Sequence, residues 1–370
     1  AYLGPISDAV GLSDTAAGLL AGAVPLVYVP LGIASGLVVD RVGPARSLGV
    51  GVALVGVAQL WRGVAPGFPS LLAATLLLGV GGTAITFGLP KLVGDLFPVG
   101  EGGLPTSIYL VGAAVGSAGA FGVGRPLLGP ALGGWRPLFL WTGVVALAYA
   151  VLWLATSHVL GVPAIGGTAS ASFSRASVRR DLEVLLGNRD LRLLVAVATM
   201  YLLVGHGLQG WLPTVLESRG LDPGLAGQAT SLYVVASTAA VLLVPPVVDR
   251  LQARREAVVG AGVLATLGIA AIATGGASLA ALVGIVVAGF GAGSLSPLIR
   301  AIPPDLDGVG AERTGTAMGL AFAVGEIGGV AGPLVVGALS DATGTFVAGL
   351  AVLAAGGLVV SLAGLALGDV

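Results

Sequence analysis

A few charged or titratable side chains stand inside the long apolar runs of this chain, and its chemistry must be sought there. Glu326 lies near the middle of one such run, flanked by Gly325 and Gly328-Gly329. A carboxyl in that position can bind and release a proton; protonated or paired with an Arg, it can also simply pack. Arg125 offers a planar, permanently charged fork suited to a carboxylate or small oxyanion. Its structural alternatives are a snorkelling cation or a salt bridge to Glu326. His206 titrates near neutrality and can carry a proton, although a lone His on a helix more often packs. Gln209 follows one turn later on roughly the same face. Trp211 can stack on a flat solute or anchor a helix end at a membrane interface. Lys91 and Arg300 stand near the ends of apolar runs, where both can snorkel; Lys91 is one turn from Asp95, so a local pair is available, and the alternative is a charge that gates or attracts solute.

These residues do not add up to an enzyme. The sequence shows no paired mid-span carboxylates, no Ser/His dyad at helical spacing and no metal-ligand cluster. With no Cys and two His, it suggests no disulfide, no thiolate site and no metal or other cofactor. A net charge of −1 gives no basis for nucleic-acid binding.

The elements that carry the candidates are membrane spans. Hydrophobic residues make up 56% of the chain, charged residues only 9%, and the mean hydropathy is +1.01. A soluble domain carries about 25% charge, so this chain cannot solvate a globule of its size. Its apolar runs are continuous and about 20 residues long, which means helices and not barrel strands. They predict eleven spans near 15–39, 47–64, 71–94, 104–128, 135–156, 191–216, 224–248, 256–274, 278–303, 314–338 and 343–367. The polar stretch 157–190, with Arg175, Arg179, Arg180, Asp181 and Glu183, reads as a linker with a surface helix at 176–187.

The chain also repeats itself. Gly18 and Gly227, and Val39-Asp40-Arg41 and Val248-Asp249-Arg250, stand 209 residues apart, and Gly79, Gly81 and Asp95 recur at Gly289, Gly291 and Asp305. Parallel halves of this kind are a transporter signature. The same offset pairs Ala1 with Gly210, late in a span. Residues 1–4 therefore read as the tail of a first helix whose body is missing, and Pro5 to Asp14 as the first extramembrane turn. One set of loops carries Arg41, Arg46, Arg175, Arg179, Arg180, Arg189, Arg192, Arg250, Arg254, Arg255 and Arg313; the opposite set carries Arg62, Arg136 and Arg219. The positive-inside rule puts the first set, the linker and the C-terminus in the cytoplasm.

The loop Asp40-Arg41-Val42-Gly43-Pro44-Ala45-Arg46 resembles the D-R-x-G-x-R core of the major facilitator superfamily. The resemblance implies that Asp40, Arg41, Gly43 and Arg46 belong to a cytoplasmic latch between two halves in the outward-open state. The echo Asp249-Arg250-Leu251-Gln252-Ala253-Arg254 keeps the charges and loses the Gly. Gly116-x8-Arg125-x3-Gly129-Pro130-x2-Gly133-Gly134 is similar to the superfamily's antiporter motif, with Arg125 where that motif has Gly. A cation there argues against cationic drugs. The strings Gly205-His206-Gly207-Leu208-Gln209-Gly210-Trp211-Leu212-Pro213 and Phe87-Gly88-Leu89-Pro90-Lys91 look most like the cyanate and nitroimidazole transporter branch.

The expected fold is an all-α integral membrane protein of two pseudo-symmetric six-helix bundles, its first helix largely missing. Residues 1–156 form one bundle, 157–190 the linker and 191–370 the other. The expected function is secondary active transport, by alternating access, of a small anionic or polar organic solute, with protons as a coupling ion. Arg125, His206, Glu326, Gln209, Trp211 and Lys91 are the binding or coupling candidates. The alternatives are a proton/drug antiporter and a non-transporting membrane sensor. The expected setting is a monomer in the plasma membrane lipid bilayer.

Overall fold

The computed structural model describes residues 2–98, 101–162, 184–276, 278–306 and 309–368. Helices follow one another as α1 (Leu3–Val10), α2 (Asp14–Ala21), α3 (Ala23–Val42), α4 (Pro44–Val64), α5 (Phe68–Leu96) and α6 (Gly103–Gly119). A π-helical stretch (Ala120–Leu128) leads into α7 (Gly129–Leu132) and α8 (Trp135–Val159). Then come α9 (Arg189–Glu217), α10 (Pro223–Leu251), α11 (Arg254–Thr274), α12 (Leu279–Ala301), α13 (Gly310–Thr343) and α14 (Val347–Ala366). Among the described residues, eleven helices are long and apolar enough to cross a membrane, matching the eleven expected runs.

Two local differences from the sequence reading have clear causes. Most of the expected first turn is helical: α1 runs to Val10 and stops because Gly11 takes a left-handed conformation (φ 68°). Ser13 then caps α2 by accepting from the Ala16 N–H. The expected span 104–128 is not one α-helix either. It widens into π geometry around Arg125-Pro126, where proline supplies no N–H. The segment expected as a surface helix at 176–187 lies outside the described residues up to 183, as do Arg175, Arg179, Arg180, Asp181 and Glu183.

Small residues let the helices meet backbone to backbone, which is how apolar spans associate without a hydrophobic driving force. A Cβ on Gly328 would lie 2.0 Å from the Thr199 carbonyl, and one on Gly332 2.2 Å from that of Leu203, so α13 is seated directly on α9. The internal repeat recurs at this level of detail. Gly81 of α5 sits on the Gly51 carbonyl and Val55 N of α4; 210 residues on, Gly291 of α12 sits on the Ala261 carbonyl and Ala265 N of α11. Gly43 (φ 89°) turns the chain sharply from α3 into α4. Its echo Gln252 adopts the same hand (φ 52°), the only non-glycine with positive φ among the described residues.

Candidate functional site

The first bundle (α2–α8) and the second (α9–α14) meet along two seams. On one, α2 and α3 run antiparallel to α13; on the other, α10 crosses α6 and the π stretch. Gly18 lies against the Pro333 carbonyl, and its repeat counterpart Gly227 against the Phe121 carbonyl, so both seams are built on the same glycine. Polar groups fasten them at the end remote from the Arg-rich loops. Asp341 accepts from the Asp14 N–H (2.9 Å) and Thr15 N–H (2.8 Å) and from the Thr15 hydroxyl (2.5 Å). Ser231 donates to the Ala118 carbonyl (3.0 Å).

Arg125 joins the second seam. Its guanidinium pairs with Glu217 at the end of α9, not with Glu326, the acid the sequence offered. The Arg125 side chain is 3% exposed and that of Glu217 22%. Gly227 makes room: a Cβ there would meet Arg125 Cδ at 3.3 Å. The cation at the antiporter-motif glycine is thus held by a countercharge of the opposite bundle.

Between the bundles lies a cavity of ≈ 560 Å³. His206 and Gln209 line it from α9; Gln59, Arg62 and Thr142 line it from α4 and α8. The sequence places Arg62 in a loop, whereas it lies in the last turn of α4. It donates to Gln59 Oε1 (2.8 Å), lies 4.4 Å over the Phe139 ring and leaves its Nε without a partner. Among the described residues, no acid lines this cavity. The signal for Gln59 and Arg62 was their one-turn spacing at the end of an apolar run.

Trp211 is not among the residues that line this cavity. It is 2% exposed, donates its indole N–H to the Pro333 carbonyl (2.8 Å) and packs 5.2 Å from the Phe346 ring. Glu326 sits on α13 where Gly329 meets Pro25 of α3, and its Oε2 is buried without a partner. Tyr28, hydrogen-bonded with Thr86 (3.3 Å), is its electrostatic neighbour on α3.

At the Arg-rich end, the charges form networks within each bundle. Lys91 pairs with Asp40 (2.8 Å), not with Asp95 one turn away, because the close packing of α5 on α3 brings Asp40 into reach. In the second half, Arg254 pairs with Asp305 and lies 3.6 Å from Asp249, the counterpart of Asp40. Arg41 and Arg46 are exposed beside them. Gly43, the remaining member of the motif, is the turn itself. The cations of the opposite end have other tasks: Arg136 donates to the Ala65 carbonyl (2.7 Å), and Arg219 to those of Ile272 and Ala273, closing helix C-termini.

A family model described as the Major Facilitator Superfamily matches residues 1–333 and 220–369. The 3-(3-hydroxy-phenyl)propionate transporter of Escherichia coli (strain K12) is 29% identical over 337 residues, 90% of this chain and 79% of that protein. The uncharacterized transporter YycB of Bacillus subtilis (strain 168) is 25% identical over 279 residues, 74% of this chain and 66% of that protein. A putative tartrate transporter of Agrobacterium vitis is 27% identical over 294 residues, 73% of this chain and 66% of that protein. Among solved structures, a bacterial homolog to the human lysosomal transporter Spinster, inward-facing and unoccupied, aligns with TM-score 0.81 at 19% identity, over 98% of this chain and 90% of that one. The transporter FucP in its outward conformation aligns with TM-score 0.65 at 16% identity, over 95% and 90%.

Proposed function

This chain belongs to the Major Facilitator Superfamily, a multi-pass membrane transporter and not an enzyme, and on that premise we propose that it carries a small organic anion, coupled to protons. The observation behind the anion is the cavity between the bundles. Among the described residues its lining holds one permanently charged side chain, Arg62, with His206, Gln209, Gln59 and Thr142 as hydrogen-bonding groups and no carboxylate. A guanidinium on the cavity wall with no carboxylate paired to it favours a ligand that brings the countercharge. Its volume is that of a site for a small molecule. Two relatives named as transporters of hydroxyphenylpropionate and tartrate, both carboxylates, support the same class.

Residues 1–156 and 191–370 act as the two moving bodies, joined by 157–190. The Arg-rich end faces the cytoplasm of a plasma membrane, and the unit is a monomer. Alternating access then consists of rocking about the seams, with Asp341, Arg125 and Glu217 fastening the outer end and the Asp40 and Asp249 networks serving the inner one. Gln209 and His206 contact the solute, Glu326 serves the proton, and Arg125 and Lys91 serve conformation.

The test is a thermal-shift and proteoliposome-uptake screen against small carboxylates, cyanate-like anions and cationic dyes. Stabilisation and pH-gradient-driven uptake of a carboxylate are expected. Dye exclusion that depends on Glu326, with no response to any anion, would replace this reading with the proton/drug antiporter.

A further inference from the structure

The seam of α2 and α3 against α13 is fastened along only part of its length, and its register can be extended along α3. Asp14 faces Gly337, Gly18 faces Pro333, Gly22 faces Val330 and Pro25 faces Gly329, so the residue numbers of facing pairs sum to 351–354. These are intimate contacts: a Cβ on Gly337 would lie 2.1 Å from the Asp14 carbonyl, and one on Gly18 2.4 Å from that of Pro333. Continued toward the Arg-rich end, the same register sets Gly32 opposite Gly319 and Gly36 opposite Gly315. A Cβ on Gly36, Gly315 or Gly319 would meet nothing within 4 Å, and one on Gly32 only the Phe87 ring of its own bundle. Two Gly-x3-Gly faces thus stand in register and apart.

Glu326 occupies the junction. The register places it opposite Pro25, at the last fastened step. One carboxyl oxygen is buried without a partner, while the residue keeps partial exposure. Of the groups that face this stretch, Tyr28 on α3 is titratable and already partnered to Thr86 of α5. From α9 come Ala198, Thr199 and Leu202. On the Arg-rich side, Arg300 of α12 stacks 4.4 Å from the Phe322 ring and bonds to Ser296. No cation pairs with Glu326 among the described residues.

We infer that Glu326 is the proton-binding residue that governs closure of the α3/α13 seam, which zips shut at the Arg-rich end through Gly32–Gly319 and Gly36–Gly315. This rests on the proposed function, which gives Glu326 the proton, and deepens it by assigning that proton a movement. Closing the splayed half encloses the rest of the carboxyl against Pro25 and Val29, where a charge has no countercharge and no water. Closure therefore takes up a proton and is favoured as pH falls.

The chain has no Cys, so cross-linking needs no prior removal of thiols. In the full chain in liposomes, the paired substitutions Gly36→Cys and Gly315→Cys, or Gly32→Cys and Gly319→Cys, should be bridged by a short bifunctional reagent. Yield should rise as pH falls, by at most about tenfold per pH unit for one proton. Val29→Cys with Gly315→Cys, two turns out of register, should give no product. Adding Glu326→Gln should give the acid-level yield at every pH. Thr15→Cys with Asp341→Cys, bridged first, should leave the inner pairs unreactive, which also reports correct folding. Equal yields in and out of register would remove the zipper. An unchanged pH profile in the Gln variant would remove Glu326 from it. Neither readout needs a solute, so failure of the anion-transport reading shows separately, as absent uptake with intact, pH-dependent cross-linking.

Discussion

The ion pair between Arg125 and Glu217 yields a prediction with an unusual asymmetry. Both groups are in one pair, yet their surroundings differ: 3% exposure for the Arg125 side chain, 22% for Glu217. Replacing Glu217 with Ala removes this countercharge from a nearly enclosed guanidinium, and breaking a buried pair from that side costs about 3–5 kcal/mol. Replacing Arg125 with Ala leaves a carboxylate that water already reaches, so its cost falls toward about 2 kcal/mol, the penalty of an unsatisfied group with partial solvation. The double variant should cost about as much as Glu217→Ala alone instead of the sum of the two, a coupling energy of about 2 kcal/mol. Because the pair joins the two bundles, the loss also falls on the outer-closed state. A loss of 2 kcal/mol changes a two-state balance by about 30-fold. Thermal unfolding in detergent measures the first effect, and alkylation of a cysteine placed at Thr142 in the cavity wall measures the second. The reasoning collapses if Arg125→Ala costs as much as Glu217→Ala, or if the cycle closes within about 0.5 kcal/mol.

Other consequences are more local. Gly328→Ala forces a methyl to 2.0 Å from the Thr199 carbonyl and should cost about 1–3 kcal/mol in thermal unfolding, whereas Gly260→Ala, with nothing within 4 Å, should be neutral or slightly stabilising. Gln252→Gly should stabilise by about 1 kcal/mol in the same assay, because it relieves a left-handed conformation; a loss of stability would mean that the Gln252 bond to the Asp249 carbonyl outweighs the strain. Trp211→Phe should cost about 1–3 kcal/mol through the lost indole hydrogen bond and packing without altering solute affinity, and a selective loss of affinity would return Trp211 to the binding site. Asp40→Asn and Lys91→Gln should shift inner-end cysteine accessibility alike, since each breaks the same pair, while changing stability by less than about 1 kcal/mol at this partly exposed site.

The spans, their number and the repeat were legible because lipid imposes a composition on each helix by itself. Side-chain partners were not, because they depend on helix phase and on contacts between distant segments. Lys91 sees Asp95 in sequence and Asp40 in space, since α5 packs on α3. Arg125 finds Glu217 only because Gly227 lets α10 close over the π stretch. Trp211 has the type and position of a stacking residue, but its rotation about α9 commits it to Pro333. His206 and Gln209, one turn apart, were correctly read as sharing a face, and both reach the cavity. Arg62, at a run's end, carries a topology signal in sequence; its one-turn spacing offers Gln59, but its contact with Phe139 needs the tertiary structure.

One further consequence follows from how α2 begins. Its first amides, those of Asp14 and Thr15, are bound by a carboxylate of the opposite bundle. Whenever the bundles part at that end, these two N–H groups lose an ionic acceptor and fray into solvent. Their hydrogen-exchange rates form an intrinsic, label-free clock of how often the protein opens outward, readable in a native bilayer.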